Sequence, residues 1–336
     1  MFHREYKGNS GNISVKLPVI CILQKSDEKV HHMNPEIKEK PEEKIWLIFF
    51  AWFSILMISD LPDIIWKYVS GVVPVWMFWG KTGFLVIFLI ICLFFQKLRT
   101  LLPYAFVMLV FYIALSVSEL IRTSGWWIGL ISNKAQTSFA LMYIKPFIRD
   151  IGVTIVVICA LWIIKKRRAD FFLVTGEIDA PIEPVRWLGI RKKEPWRKFA
   201  WIFGIIAAIA VAVPTIIGLH PSAAILKKCI PLIPAAILFA AINAFNEELY
   251  FRATLFSTLV KVVGKSNTML INIVFFGLAH FLYGSPPGVI GFMMTGFLAF
   301  LMGKSMLETK GFLLPWLIHF LPDVIIFISN AIVWMS

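Results

Sequence analysis

Charged residues are scarce in this 336-residue chain: they make up 16% of it, against 59% hydrophobic residues. Soluble domains usually carry about 25% charged residues, so the composition excludes an ordinary soluble protein. Aromatic residues are plentiful instead, with 30 Phe and 13 Trp, and they suit lipid-facing and interfacial positions. The sequence therefore predicts an all-α, polytopic membrane bundle with about eight or nine transmembrane helices of roughly 20 residues each.

Several motifs of other protein classes are missing from the sequence. There is no GxxxxGK[ST] phosphate loop and no GxGxxG, which argues against nucleotide-driven transport. The four cysteines form no CxxC pair, so neither a disulfide framework nor a thiolate metal site is predicted. No cleavable signal peptide is expected, because the first 44 residues mix basic and acidic side chains without a continuous apolar core.

Apolar and polar intervals divide the chain into four predicted parts. These are a polar, poorly ordered cytoplasmic tail at 1–44, N-terminal membrane helices at 45–164, a basic cytoplasmic or interfacial insert at 165–198 and a catalytic membrane core at 199–336. Trp187 and Trp196 suggest that the insert lies along the lipid headgroups.

The net charge of +13 is explained by the membrane, not by nucleic acid. Basic residues collect on the cytoplasmic side of membrane proteins, and their distribution here favours a cytoplasmic N-terminus. We therefore expect an integral multi-pass protein of a prokaryotic plasma membrane, with the lipid bilayer and no nucleic acid as partner.

Ionisable side chains inside the apolar helices are the chemically informative feature. Glu247 and Glu248 lie together within the apolar run Ile230–Val263, and His280 and His319 lie in later apolar runs. Such groups are costly at membrane depth and indicate function. Glu247 precedes the turn at Lys265 by 18 residues and His280 follows it by 15, so an antiparallel hairpin places them within roughly 4.5 Å of the same depth.

Two i, i+4 pairs accompany these residues. Glu248 and Arg252 have the favourable order for a helical ion pair, which leaves Glu247, about 100° away around the helix, free to face a cavity. His319 and Asp323 share one helical face, so Asp323 could orient the imidazole. The structural alternative is that each histidine only hydrogen bonds across a helix interface.

The residues form three motifs: Glu247-Glu248-x-x-x-Arg252, Phe276-x-x-x-His280 and His319-x-x-x-Asp323. This order resembles the signature of the CPBP family, the CAAX-processing and bacteriocin-processing (Abi) intramembrane proteases. The resemblance implies that Glu247 is the catalytic carboxylate, that His280 assists the attacking water, and that His319 and the residue four later stabilise the oxyanion.

The family often has Asn where this chain has Asp323. An ionised Asp cannot donate a hydrogen bond, so this residue is protonated, acts through His319 or has another role.

The cofactor is left open by the sequence. One Glu and two His resemble the ligands of a catalytic zinc site, and a divalent metal such as Zn would be held by Glu247, His280 and His319. There is no HExxH pair, and the resemblance also allows a metal-free mechanism, which we favour.

The preferred interpretation is an intramembrane endopeptidase in which Glu247 and His280 activate water to cleave a hydrophobic or lipidated peptide or protein. One alternative is a non-catalytic membrane protein that confers bacteriocin self-immunity or scaffolds a complex. A second is a proton-coupled transporter, which would be expected to show an inverted repeat.

Overall fold

The computed structural model describes residues 41–129, 138–165, 167–191, 193–284 and 286–336. Within these ranges the protein is a bundle of helices without a β-strand, which confirms the predicted all-α fold. Most of the predicted tail, residues 1–40, lies outside the described residues. The α-helices are α1 (Pro41–Ile58), α2 (Leu61–Ser70), α3 (Trp76–Phe94), α4 (Leu102–Thr123), α5 (Phe139–Lys165), α6 (Trp196–Leu219), α7 (Ala223–Cys229), α8 (Ile233–Glu248), α9 (Thr254–Val263), α10 (Lys265–Tyr283), α11 (Gly288–Thr309) and α12 (Leu313–Met335).

Seven helical runs in the described ranges are long and apolar enough to cross a membrane, or eight if the bent pair α1–α2 counts as one span. The chain is therefore an integral membrane protein, and the predicted count of eight or nine spans is approximate. Helix α6 illustrates the lipid-facing surface of such a protein, because its isoleucines point outward. The cytoplasmic position of the N-terminus stays a prediction.

The longest helical run positions the site. It extends from Ala223 to Val263 and is joined to α10 at Gly264, whose φ of +88° is a conformation that glycine adopts without strain. The sequence predicts a short turn capped by Asn267. Instead α10 begins directly at Lys265, and the Asn267 amide donates to the Val263 carbonyl. Helices α8 and α6 both pack on α12, and α10 packs on α11.

The basic insert is tied to the C-terminal end of α11. The carboxylate of Glu308 accepts hydrogen bonds from the Trp196 indole at 2.9 Å and from the Glu183 amide at 3.0 Å. Trp196 is fully buried with its indole bound to a carboxylate inside the protein, so it does not itself support an interfacial insert, and the position of the insert along the headgroups stays a prediction. Trp187 is 69% exposed, as expected of an interfacial residue.

Candidate active site

His319 on α12 lies at the centre of a cluster of carboxyl groups. Its Nδ1 is 2.8 Å from Oε1 of Glu248, and because a carboxylate only accepts, Nδ1 donates this hydrogen bond. Its Nε2 is 3.6 Å from Oε2 of Glu247 and 3.8 Å from Oδ1 of Asp323. The histidine thus contacts both glutamates, although α12 begins only at Leu313 and the sequence places His319 at a shallower depth than His280.

The closest partner of His319 is Glu248, not Asp323. The sequence analysis assigned the orientation of the imidazole to Asp323, but the 3.8 Å separation is longer than a hydrogen bond. The spacing of four residues places both groups on one face of α12 without fixing the distance between their side chains. The hydrogen bond from Nδ1 to Glu248 therefore holds the ring and leaves Nε2 directed toward Glu247 and Asp323.

Glu248 and Arg252 form a fully buried ion pair. Nη1 of Arg252 is 3.0 Å from Oε1 of Glu248, and both side chains are 0% exposed. The guanidinium carbon also lies 3.8 Å from the centre of the Phe276 ring, a cation–π geometry that strengthens when water is absent. Phe276, which the sequence predicts as a supporting residue, therefore packs directly on the ion pair.

The helix changes its winding directly after Glu248. Leu249–Ala253 form a π-helical turn between α8 and α9, and the Thr254 hydroxyl donates to the Leu249 carbonyl at 2.9 Å. Such turns are rare and frequently occur at functional sites. The sequence analysis treats the run as a regular helix and does not predict this turn.

Asn243 is a site residue that the sequence analysis misses. Its Nδ2 donates to Oε1 of Glu247 at 3.1 Å and to Oδ2 of Asp323 at 3.0 Å, so it links α8 to α12. A polar side chain four residues before Glu247 in an apolar run is the signal that could have found it, because residues four apart are neighbours on a helix surface.

His280 lies next to Phe276 on α10. Its Nδ1 donates to the Phe276 carbonyl at 2.9 Å, since a carbonyl only accepts. The Phe276 ring centre is 4.4 Å from that of His280 and 5.8 Å from that of His319. Both imidazoles therefore contact one aromatic ring, and the fixed Nδ1 of His280 leaves Nε2 as the nitrogen that can accept a proton.

The three carboxyl groups around His319 differ in their access to water. The side chain of Glu247 is 24% exposed, whereas Asp323 is 7% exposed and Glu248 is 0% exposed. A group that activates water must be reached by it. Glu247 has the most exposed side chain of the three, although this exposure does not include its buried Oε2.

Helix α5 supports the opposite face of α8. The Thr154 hydroxyl donates to the Asn246 side chain at 2.6 Å, and the Tyr250 hydroxyl donates to the Asp150 carbonyl at 2.9 Å. Asn246 and Tyr250 flank the two glutamates in sequence. The N-terminal helices, which the sequence analysis regards as uninformative, therefore help to fix the rotation of α8.

The residues of the cluster do not fit a metal centre. Across the described ranges, no group of three or more His, Cys, Asp or Glu side chains is arranged to hold a metal ion. We therefore derive no step through a metal at Glu247, His280 and His319, and metal independence stays a prediction.

Comparison with known families identifies the same part of the chain. Residues 230–325 match a family described as type II CAAX prenyl endopeptidase Rce1-like, which is consistent with the resemblance to the CPBP family and supports a CAAX-type membrane protease at the level of the family. The matched range contains Glu247, His280, His319 and Asp323. No curated protein and no solved structure matches the chain.

Proposed function

We propose that this protein is an intramembrane endopeptidase in which Glu247 is the general base. The observation that carries the proposal is the contrast between the two adjacent glutamates. Glu248 is fully buried and engaged by both Arg252 and His319, whereas Glu247 is 24% exposed and faces Nε2 of His319. Glu248 thus stabilises the site, and Glu247 is the carboxylate that acts on water.

In the proposed reaction, the Glu247 carboxylate takes a proton from a water molecule, and the water oxygen bonds to the carbonyl carbon of the substrate. His280 assists by accepting a hydrogen bond from the water at Nε2. The peptide C–N bond then breaks, and the proton held by Glu247 passes to the leaving nitrogen, which gives a free carboxyl terminus and a free amine. Such proton transfers contribute roughly 10²–10⁴-fold in rate.

The developing oxyanion is stabilised by His319. Its Nδ1 hydrogen bond to Glu248 holds the ring so that Nε2 faces the region beside Glu247. In the imidazolium form Nε2 also carries a hydrogen and donates it to the oxyanion, and donors fixed before the reaction stabilise charge efficiently. Asp323 accepts a hydrogen bond from Asn243. We therefore assign Asp323 an indirect role through His319 rather than direct donation to the oxyanion.

The substrate we propose is a hydrophobic or lipidated peptide or protein terminus, or a membrane-bound propeptide. A site among apolar helices favours a substrate that partitions into the bilayer, and the matched family takes its name from prenylated CAAX proteins. We place the protein in a prokaryotic plasma membrane, where a propeptide is the more suitable substrate.

Cleavage of a library of membrane-anchored peptides by the purified protein in liposomes tests the proposal. Glu247→Gln should reduce cleavage by about 10²–10⁴-fold. Glu119→Gln is the matched control, because Glu119 pairs with Arg122 in an exposed position near the end of α4, and it should cleave normally. Equal cleavage by Glu247→Gln and the unaltered protein would remove the basis of the proposal.

A further inference from the structure

We infer that Asn243 is a positioning residue that sets the orientation of the general base. This inference rests on the proposed function of Glu247. The side-chain amide of Asn243 donates to Glu247 at 3.1 Å and to Asp323 at 3.0 Å, so a single neutral group joins two carboxylates from different helices.

Asn243 can satisfy both carboxylates at once because an amide nitrogen carries two hydrogens. The other polar group between them is Nε2 of His319, but its distances of 3.6 and 3.8 Å exceed hydrogen-bond length. The amide thus holds the two carboxylates together without adding a positive charge. A Lys or Arg in its place would stabilise the carboxylate of Glu247 and weaken it as a base.

The geometry also determines which oxygen of Glu247 is reactive. Asn243 lies one turn before Glu247 on the same helix and binds Oε1 of its carboxylate. This hydrogen bond directs Oε2 of Glu247 toward His319. Oε2 is buried and receives no hydrogen bond from the described part of the chain. Asn243 therefore fixes the rotation of the carboxylate so that Oε2 meets water beside the imidazole that stabilises the oxyanion.

Four variants test this role: Asn243→Ala, Asn243→Asp, Asp323→Asn and the exchange double variant Asn243→Asp/Asp323→Asn. Asn243→Ala should lower kcat by about 10–100-fold, since a misplacement of about 1 Å costs this much, and should change KM by less than about threefold. Asn243→Asp should lower kcat further, because it places a third carboxylate against the other two. The exchange moves the amide to position 323 and leaves a carboxylate in front of Oε1 of Glu247, so it should recover less than about threefold in kcat over Asn243→Asp.

A control separates positioning from general damage. Asn267→Ala removes an amide that donates to the Val263 carbonyl at the start of α10, and it should keep normal kcat and KM. Should Asn243→Ala fail to fold, Asn243→Ser replaces it, and the comparison of the exchange variant with Asn243→Asp is unaffected.

The outcomes distinguish this inference from the proposed function. An inactive Glu247→Gln together with a folded Asn243→Ala of normal kcat would reject the role of Asn243 and leave the peptidase intact. An exchange variant that recovers about tenfold or more in kcat over Asn243→Asp would also reject it. An active Glu247→Gln would instead reject the general base itself, whatever the Asn243 variants do.

Discussion

The fully buried ion pair between Glu248 and Arg252 gives the sharpest stability prediction. We expect Arg252→Met to destabilise the protein strongly, because it leaves the carboxylate of Glu248 buried without its cation. At the observed 3.0 Å separation, the Coulomb attraction is about 5 kcal/mol for an effective dielectric constant of about 20. Removing one partner of a buried pair typically costs about 3–5 kcal/mol. Part of this loss comes from the contact with Phe276, which methionine only partly replaces.

The assay is unfolding in mixed micelles by titration with a denaturing detergent, followed by tryptophan fluorescence. The double variant Glu248→Gln/Arg252→Met removes both charges and should be more stable than Arg252→Met by at least about 1–2 kcal/mol, since the two sites are coupled. Arg122→Met is the control, because Arg122 pairs with Glu119 at the surface. This substitution should lower the free energy of unfolding by less than about 1 kcal/mol. If Arg252→Met lowers the free energy of unfolding no more than Arg122→Met does, then Arg252 does not stabilise the buried charge of Glu248.

Three further predictions concern the insert and the cofactor. Gly176→Ala should lower thermal stability markedly, because its φ is +76° and an added Cβ would lie 2.6 Å from the Cα of Gly311; an unchanged melting temperature contradicts this contact. Glu308→Ala should speed tryptic cleavage of the insert at 165–198, since it removes the acceptor of the Trp196 indole; equal digestion of both forms argues against that anchor. Dialysis against a chelator should leave peptidase activity unchanged, because no three His, Cys, Asp or Glu side chains in the described ranges are arranged to hold a metal ion; a loss restored by added Zn²⁺ would show that a metal is needed.

Contacts within one helix could be predicted from the sequence, because the helical repeat alone determines them. The ion pair of Glu248 with Arg252 follows from their spacing of four residues. The hairpin formed by α9 and α10 follows from the short interval around Gly264. The membrane helices follow from apolar composition, although the count is approximate because α1 and α2 bend by 47°.

Contacts between helices could not be predicted in the same way. They depend on how far each helix is rotated about its axis, which is set by packing across the whole bundle. The approach of His319 to Glu248 is an example, since the sequence does not decide the depth of His319 in the membrane. The π-helical turn after Glu248 has no spacing signal of its own, and it changes the rotation of every residue that follows it.

The adjacent glutamates raise a geometric question that the cluster answers. Neighbouring residues on a helix point about 100° apart, so Glu247 and Glu248 cannot present their carboxyl groups in one direction. A single imidazole contacts both because its nitrogens lie on different edges of the ring: Nδ1 meets Glu248 at 2.8 Å and Nε2 faces Glu247 at 3.6 Å. The two carboxylates then acquire different environments from the same histidine. Glu248, paired with Arg252 and fully buried, fixes the ring, and Glu247, partly exposed and bound only through a neutral amide at Oε1, keeps the oxygen that can act as a base.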